Sequence, residues 1–234
     1  MSDTDTLQSR LQDMQSRIAE AAASAGRSNE DITLIVVTKF HPETLVRDLY
    51  DLGVRDMGEN RHQEASGKSS ACADLDLRWH FIGQLQSNKA RAALEYADVI
   101  HSVDRASLVS ALDKAWSEKV SVEPATAPIE CFIQLNLTQD PARGGVAPEN
   151  LESFTETILG SPAFNLQGVM AVAPLDEEPA RAFERVRAAS LVVQGLEPRA
   201  RFMSAGMSHD FVEAINAGAT HLRIGTAITG NRPV

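Results

Sequence analysis

Ile32-Thr33-Leu34-Ile35-Val36-Val37-Thr38-Lys39 is the stretch that decides the fold. A run so rich in β-branched and apolar residues reads as a strand expected inside the fold, with a charged amine at its tip. Such an amine must reach solvent or be used. One reading has Lys39 snorkel out of the strand end. The other has an amine partly withdrawn from water, its charged form disfavoured, become a nucleophile toward an aldehyde and form a Schiff base. On this stretch alone the two readings stand level.

Working outward, Leu7, Leu11, Met14 and Ile18 share one face of an amphipathic helix from about Thr6 to Ala25, ahead of the first strand. Beyond Lys39 strand and helix alternate. Strands are predicted at 54–58, 78–82, 97–101, 130–136, 166–172, 201–204 and 220–224, with helices at 42–52, after Asn60, and at 87–96, 104–118, 148–159, 179–193 and 208–217. Asp104 and Ser208 are the expected N-caps of two of these helices. Eight short strands separated by seven helices imply a parallel sheet with helical crossovers, and eight strands close a barrel. The predicted fold is therefore an α/β protein of the (β/α)8 TIM-barrel type with an extra N-terminal helix, forming a single domain over residues 1–234. An open doubly wound sheet that bound a dinucleotide would carry a glycine-rich first turn, and no Gly-x-Gly-x-x-Gly or Walker lysine loop occurs.

The chain has 22 Lys+Arg against 32 Asp+Glu, a net charge of −10, which argues against nonspecific attraction to nucleic acid or to an anionic membrane. Its two cysteines, Cys72 and Cys131, stand far apart without metal-ligand companions, so neither a disulfide framework nor a metal site is expected. The acidic start and the absence of a long apolar run predict a cytoplasmic protein.

In a barrel of this type chemistry sits just past the C-terminal ends of the strands. The residues there include Lys39, Glu59, Asn60, Gln84, Ser102, Asn136, Ser204 and Thr226. Two of the turns suit a phosphate. Ser204-Ala205-Gly206-Met207-Ser208 leads from a strand into a helix, offering backbone N–H groups, and Arg223-Ile224-Gly225-Thr226 adds close backbone approach at Gly225 and a hydroxyl at Thr226. Either alone is also an ordinary glycine-bearing turn; together they favour an anion site. His80 reads as a hydrogen-bonded core histidine, and Arg143-Gly144-Gly145 as a plain surface turn. An imine-forming amine facing a phosphate cradle points to a ligand bearing both an aldehyde and a phosphate, as pyridoxal 5'-phosphate (PLP) does.

The chain resembles the pyridoxal phosphate homeostasis protein family, single-domain barrels of the fold-type III group similar to the N-terminal domain of alanine racemase. The matching stretches are Val36-Val37-Thr38-Lys39, Gly58-Glu59-Asn60-Arg61-His62-Gln63-Glu64, Trp79 to Lys89, His101-Ser102-Val103-Asp104, Gly168-Val169-Met170-Ala171, Ser204 to Ser208 and Arg223 to Ile228. The resemblance implies that Lys39 carries PLP as a Schiff base, that Ser204, Gly206, Met207, Gly225 and Thr226 hold its phosphate, that Arg223 lies near the pyridine nitrogen, and that Asn60 lines the cofactor. Many relatives have Met at the position of Ala205 and Asp at that of His209. The related racemases add a second domain and a tyrosine base, whereas this chain stops at Val234 and has only Tyr50 and Tyr96, neither at a predicted strand end. The expectation is a carrier that holds PLP and delivers it to apo-enzymes, without robust turnover, as a monomer or weak dimer. The alternatives are a low-activity PLP-dependent racemase or lyase, and a Schiff-base aldolase acting on a sugar phosphate.

Overall fold

The computed structural model describes residues 6–231. Helix α1 (Leu7–Ser24) begins at Thr6, whose hydroxyl accepts the Ser9 N–H at 3.1 Å, and buries Leu11, Met14 and Ile18 as its spacing requires. Strands β1 (Thr33–Val37), β2 (Asp56–Glu59), β3 (Arg78–Phe81), β4 (Val99–Val103), β5 (Ile129–Gln134), β6 (Phe164–Met170), β7 (Phe202–Ser204) and β8 (His221–Ile224) follow. Among the described residues these eight close, in sequence order and all parallel, into one barrel. The crossovers carry α2 (Glu43–Asp51), α3 (His62–Ala71), α4 (Ala90–Ala93), α5 (Ala106–Val122), α6 (Leu151–Leu159), α7 (Pro179–Leu196) and α8 (Phe211–Asn216), and α9 (Thr226–Thr229) follows β8.

Two expected caps are not made. Helix α5 has Arg105 at its N-cap, and the Asp104 carboxylate instead accepts from Arg105 at 2.6 Å and from the Gly145 N–H at 3.2 Å. Helix α8 starts three residues after Ser208, with Asp210 at its N-cap. At α5 the acceptor has a better-placed partner, which has outcompeted the helix end.

Alternation along the strands splits the buried residues into two populations. Outward-facing side chains such as Val36, Met57, Phe81, Ile100, Ile133, Val169, Leu222 and Ile224 pack against the helices in one large apolar layer. Each such side chain, fully buried, contributes roughly 1.5–3 kcal/mol. Within the bore the apolar cluster is small, made of Val99, Phe132 and Met170 with Phe202 beside it. Helices therefore hold the barrel together, and the bore is free to be polar.

Two register shifts tune which side chains enter the bore. One adds a residue to β4 between Ile100 and Val103. The other adds one to β6, where Cys131 pairs with Leu166 but Phe132 pairs with Gly168. Gly168 takes φ +150°, and a Cβ there would lie 1.9 Å from the Phe202 carbonyl oxygen. No helix among the described residues is long and apolar enough to cross a membrane.

Gly168→Ala should therefore lower stability by about 2–3 kcal/mol, because backbone rather than a flexible side chain must move. The urea midpoint measures this, and an unchanged midpoint would contradict the geometry.

Candidate functional site

Strands β1 and β8 pair through Ile35 with Arg223 and Val36 with Ile224. A Cβ on Gly225 would stand 3.6 Å from the Val37 Cβ, so the residue after β8 sits beside the end of β1. Thr38 extends the ladder, its N–H donating to the Gly58 carbonyl at 3.1 Å, and its hydroxyl turns outward to donate to Glu59 Oε1 at 2.6 Å. Alternation then returns Lys39 to the side of Ile35 and Val37, half-buried at the barrel mouth.

The turn at Lys39 is braced from behind. Phe40 has φ 68°, a left-handed backbone that costs a bulky residue of order 1–3 kcal/mol and persists only where the surroundings fix it. Its N–H donates to Glu64 Oε2 at 2.8 Å, and the Arg61 guanidinium lies 4.9 Å from its ring centroid. Lys68, on α3, donates to the Thr38 carbonyl at 2.7 Å and to Glu59 Oε1 at 2.6 Å. Glu59 is 1 % exposed and its Oε2 has no partner among the described residues. Burial raises the Glu59 pKa above the ordinary carboxylate value, although hydrogen bonds from Lys68 and Thr38 oppose the shift.

Donors converge on the β8 side of Lys39. The N–H groups of Gly225, Thr226 and Ala227, at the first turn of α9, find no acceptor among the described residues, as helix starts leave them. Arg223 is 4 % exposed and donates to Ser204 Oγ at 2.7 Å and to the Ala171 carbonyl at 2.8 Å. Burial pulls its pKa down to about 10, with Asp210 opposing, so it stays charged at neutral pH. Next to these lies a cavity of about 570 Å³ over the ends of β5, β6 and β7, lined by residues including Gln134, Asn136, Val172, Met207 and Asp210.

The alanine racemase N-terminal domain family matches residues 5–233. The chain is 39 % identical over 232 residues to the pyridoxal phosphate homeostasis protein of Pseudomonas aeruginosa, covering 97 % of this chain and 96 % of that protein. The chain belongs to the pyridoxal phosphate homeostasis protein family. The Mycobacterium tuberculosis homeostasis protein is 38 % identical, with 94 % of this chain and 90 % of that one covered. PipY of Synechococcus elongatus, a structure solved with PLP bound, superposes with a TM-score of 0.82 at 33 % identity, covering 96 % of this chain and all of that one. Alanine racemase from Corynebacterium glutamicum shares the fold, at a TM-score of 0.68 and 18 % identity over 94 % of this chain and 62 % of the racemase.

Against the expectations for this homeostasis family, Lys39, Arg223, Gly225 and Thr226 are brought together by the β1–β8 pairing. Asn60 follows β2 at the mouth, half-buried, and lines a neighbouring hollow with Gln84 and Lys89. The Met207 N–H is already taken by Asp210 Oδ1 at 2.6 Å. Gly206 has φ 93°, and a Cβ there would meet the Ala214 side chain at 2.7 Å, so helix packing and backbone shape explain this glycine. Ser204 is fully buried with its hydroxyl engaged by Arg223 and by His101 Nδ1 at 2.9 Å. The loop at Arg143-Gly144-Gly145 is more than a surface turn: a Cβ on Gly144 would strike Gln84, and Gly145 is tied to Asp104. His80 is the hydrogen-bonded core residue expected. Lys68, His101 and His221 were missed. His221 lies two residues before Arg223, and that spacing on one strand was the available signal.

Lys68→Met should cost about 3–5 kcal/mol at pH 8, since it strands a buried carboxylate. The folded pKa of Glu59 lies above the unfolded value, so the folded state binds the extra proton and stability falls as pH rises between the two. Losing Lys68 widens that interval, so the loss should be smaller at pH 5. Equal losses at the two pH values, from urea midpoints, would overturn this account.

Proposed function

We propose that this chain binds PLP at the mouth of the barrel, serves intracellular PLP homeostasis, and hands the cofactor to apo-enzymes rather than turning over a substrate of its own. The observation that supports the reading is a half-buried lysine just past the end of β1, beside a turn after β8 whose consecutive backbone N–H groups find no acceptor among the described residues. The donor set fits the group. Gly225, Thr226 and Ala227 offer N–H donors to a phosphate at a helix start, and among the described residues only Val37 lies near the space that a Cβ on Gly225 would fill.

Bound there, PLP supplies an aldehyde carbon that condenses reversibly with a primary amine. Lys39 is the amine at the mouth. Glu64 and Lys68 hold the backbone on either side of it, through the Phe40 N–H and the Thr38 carbonyl. Arg223 presents a cation that has donors and no acceptor, so a pyridine nitrogen facing it is kept unprotonated. That weakens the ring as an electron sink, which suits holding a cofactor more than rearranging an amino acid.

A carrier role is supported by the names of the relatives and by the two tyrosines. Tyr50 lies in α2 beneath the Arg55 guanidinium, 3.8 Å from the ring centroid. Tyr96 is hydrogen-bonded to His62 Nδ1 at 3.2 Å, and burial raises its pKa, which removes it as a ready base. Neither stands at a strand end.

Purified protein mixed with PLP should develop visible absorbance that borohydride fixes on the peptide containing Lys39, and Lys39→Ala should lose both. Modification mapped only to other lysines would overturn the assignment. Gly225→Val should weaken PLP binding by tenfold or more, at the level of about 1.4 kcal/mol per decade, while pyridoxal, which lacks the phosphate, loses far less. An equal loss for both ligands would remove the phosphate from this turn.

A further inference from the structure

Five polar side chains run through the barrel bore in unbroken contact. Asp56 Oδ1 lies 2.9 Å from His80 Nε2, His80 Nδ1 lies 2.9 Å from His101 Nε2, and His101 Nδ1 lies 2.9 Å from Ser204 Oγ. Arg223 closes the series by donating to Ser204 Oγ at 2.7 Å. His80, His101 and Ser204 are each no more than 1 % exposed. Asp56 begins β2, so it stands at the N-terminal face of the barrel, opposite the mouth, where it lines a solvent-open hollow of about 540 Å³ with Arg78 and Glu130.

The two ends fix the direction of every bond between them. A guanidinium can only donate, so the Ser204 oxygen accepts, and its own proton goes to its other partner, His101 Nδ1. His101 then carries its proton on Nε2 and donates to His80 Nδ1. His80 in turn carries its proton on Nε2 and donates to Asp56, and a carboxylate can only accept. Reversing the polarity with neutral rings would set the His80 Nε2 lone pair against the Asp56 carboxylate and leave the Ser204 proton without an acceptor.

We propose that Asp56, His80, His101 and Ser204 are positioning residues for Arg223: a hydrogen-bond chain of single polarity that fixes both imidazoles as neutral Nε2–H tautomers and holds the guanidinium toward the mouth from the opposite face of the barrel. The proposal takes its ligand from the PLP reading above, but the chain belongs to the protein alone. Supporting geometry comes from the rings, since His101 stacks on Phe132 with centroids 4.5 Å apart and His221 sits edge-on to both. Burial, with the Arg223 and Arg78 guanidiniums adding to it, drives the His101 pKa well below its ordinary value. His221 stays outside the chain, paired with Thr220 Oγ1 at 2.9 Å. Ser204 thereby gains a role different from holding phosphate, because its only proton is committed to His101.

Long-range proton–nitrogen correlation spectra of ¹⁵N-histidine-labelled protein at pH 7, without PLP, test the polarity directly. His80 and His101 should both appear neutral and protonated on Nε2; an Nδ1–H tautomer or an imidazolium at either position overturns the chain even if PLP never binds. Positioning is tested by Ser204→Ala, which cuts the link to Arg223 and removes a charge-assisted hydrogen bond. Dissociation of PLP and of pyridoxal should each accelerate about tenfold. A loss seen with PLP and absent with pyridoxal would return Ser204 to the phosphate and sink the positioning role, as would no change with either. Asp56→Leu should speed release of both ligands in the same direction, although it lies at the far face; if that variant fails to fold by near-ultraviolet circular dichroism, Asp56→Asn replaces it. Unchanged release rates in the folded variant used, together with an unchanged His80 nitrogen spectrum, would also overturn the coupling.

Discussion

The pairing of β1 with β8 is the constraint on which the rest depends. It closes the sheet, and its register places Ile35 beside Arg223 and Val37 beside Gly225. Because side chains alternate strictly, a slip of one residue would turn Lys39 toward the helices and send Arg223 out of the bore. The apolar partners on the outer face, Val36, Leu222 and Ile224, prevent such a slip, since each would exchange a packed environment for a polar one. The hydrophobic layer thus sets the phase of the strands, and the phase decides which polar groups meet.

That division of labour explains how a barrel tolerates so much polarity at its centre. Asp56, His80, His101, Ser204 and Arg223 would be costly in an apolar core, since an unmade hydrogen bond to a buried polar group costs about 1–3 kcal/mol. Here each finds its partner along the bore, while the large apolar layer lies between sheet and helices. Glu59, Lys68 and Thr38 form a second such group outside the bore, behind the Lys39 turn. The two groups act on adjacent strands: one supports the backbone that carries the amine after β1, the other supports the cation on β8.

Much of the fold was legible because it depends on repetition. Alternation of short apolar runs with amphipathic stretches located all eight strands, and Leu7, Leu11, Met14 and Ile18 located α1. Lys39, Arg223, Gly225 and Thr226 were legible as a candidate site because they are residues of distinctive chemistry at strand ends. Cap assignments failed where a side chain had a rival partner, as Asp104 does in Arg105 and Gly145. Ser204 was recognised by type, but what its hydroxyl touches follows from register between strands far apart in sequence. The same holds for His101, whose neighbours come from β3 and β7, and for Lys68, which reaches back across α3 to Thr38. Local sequence carries propensity and periodicity; it does not carry which two side chains share a proton.

The polar bore has a consequence for how such a protein can drift in sequence. On the outer face of the strands, Val, Ile, Leu and Met are near-synonyms, because what is conserved there is volume. Inside, the spelling is grammatical: a donor can be exchanged only if the acceptor beside it changes in step, and Arg223 and Asp56 punctuate the two ends of one sentence. Substitutions in the bore should therefore travel as sets, and an isolated change there speaks of altered chemistry at the mouth even when it lies on the opposite side of the molecule.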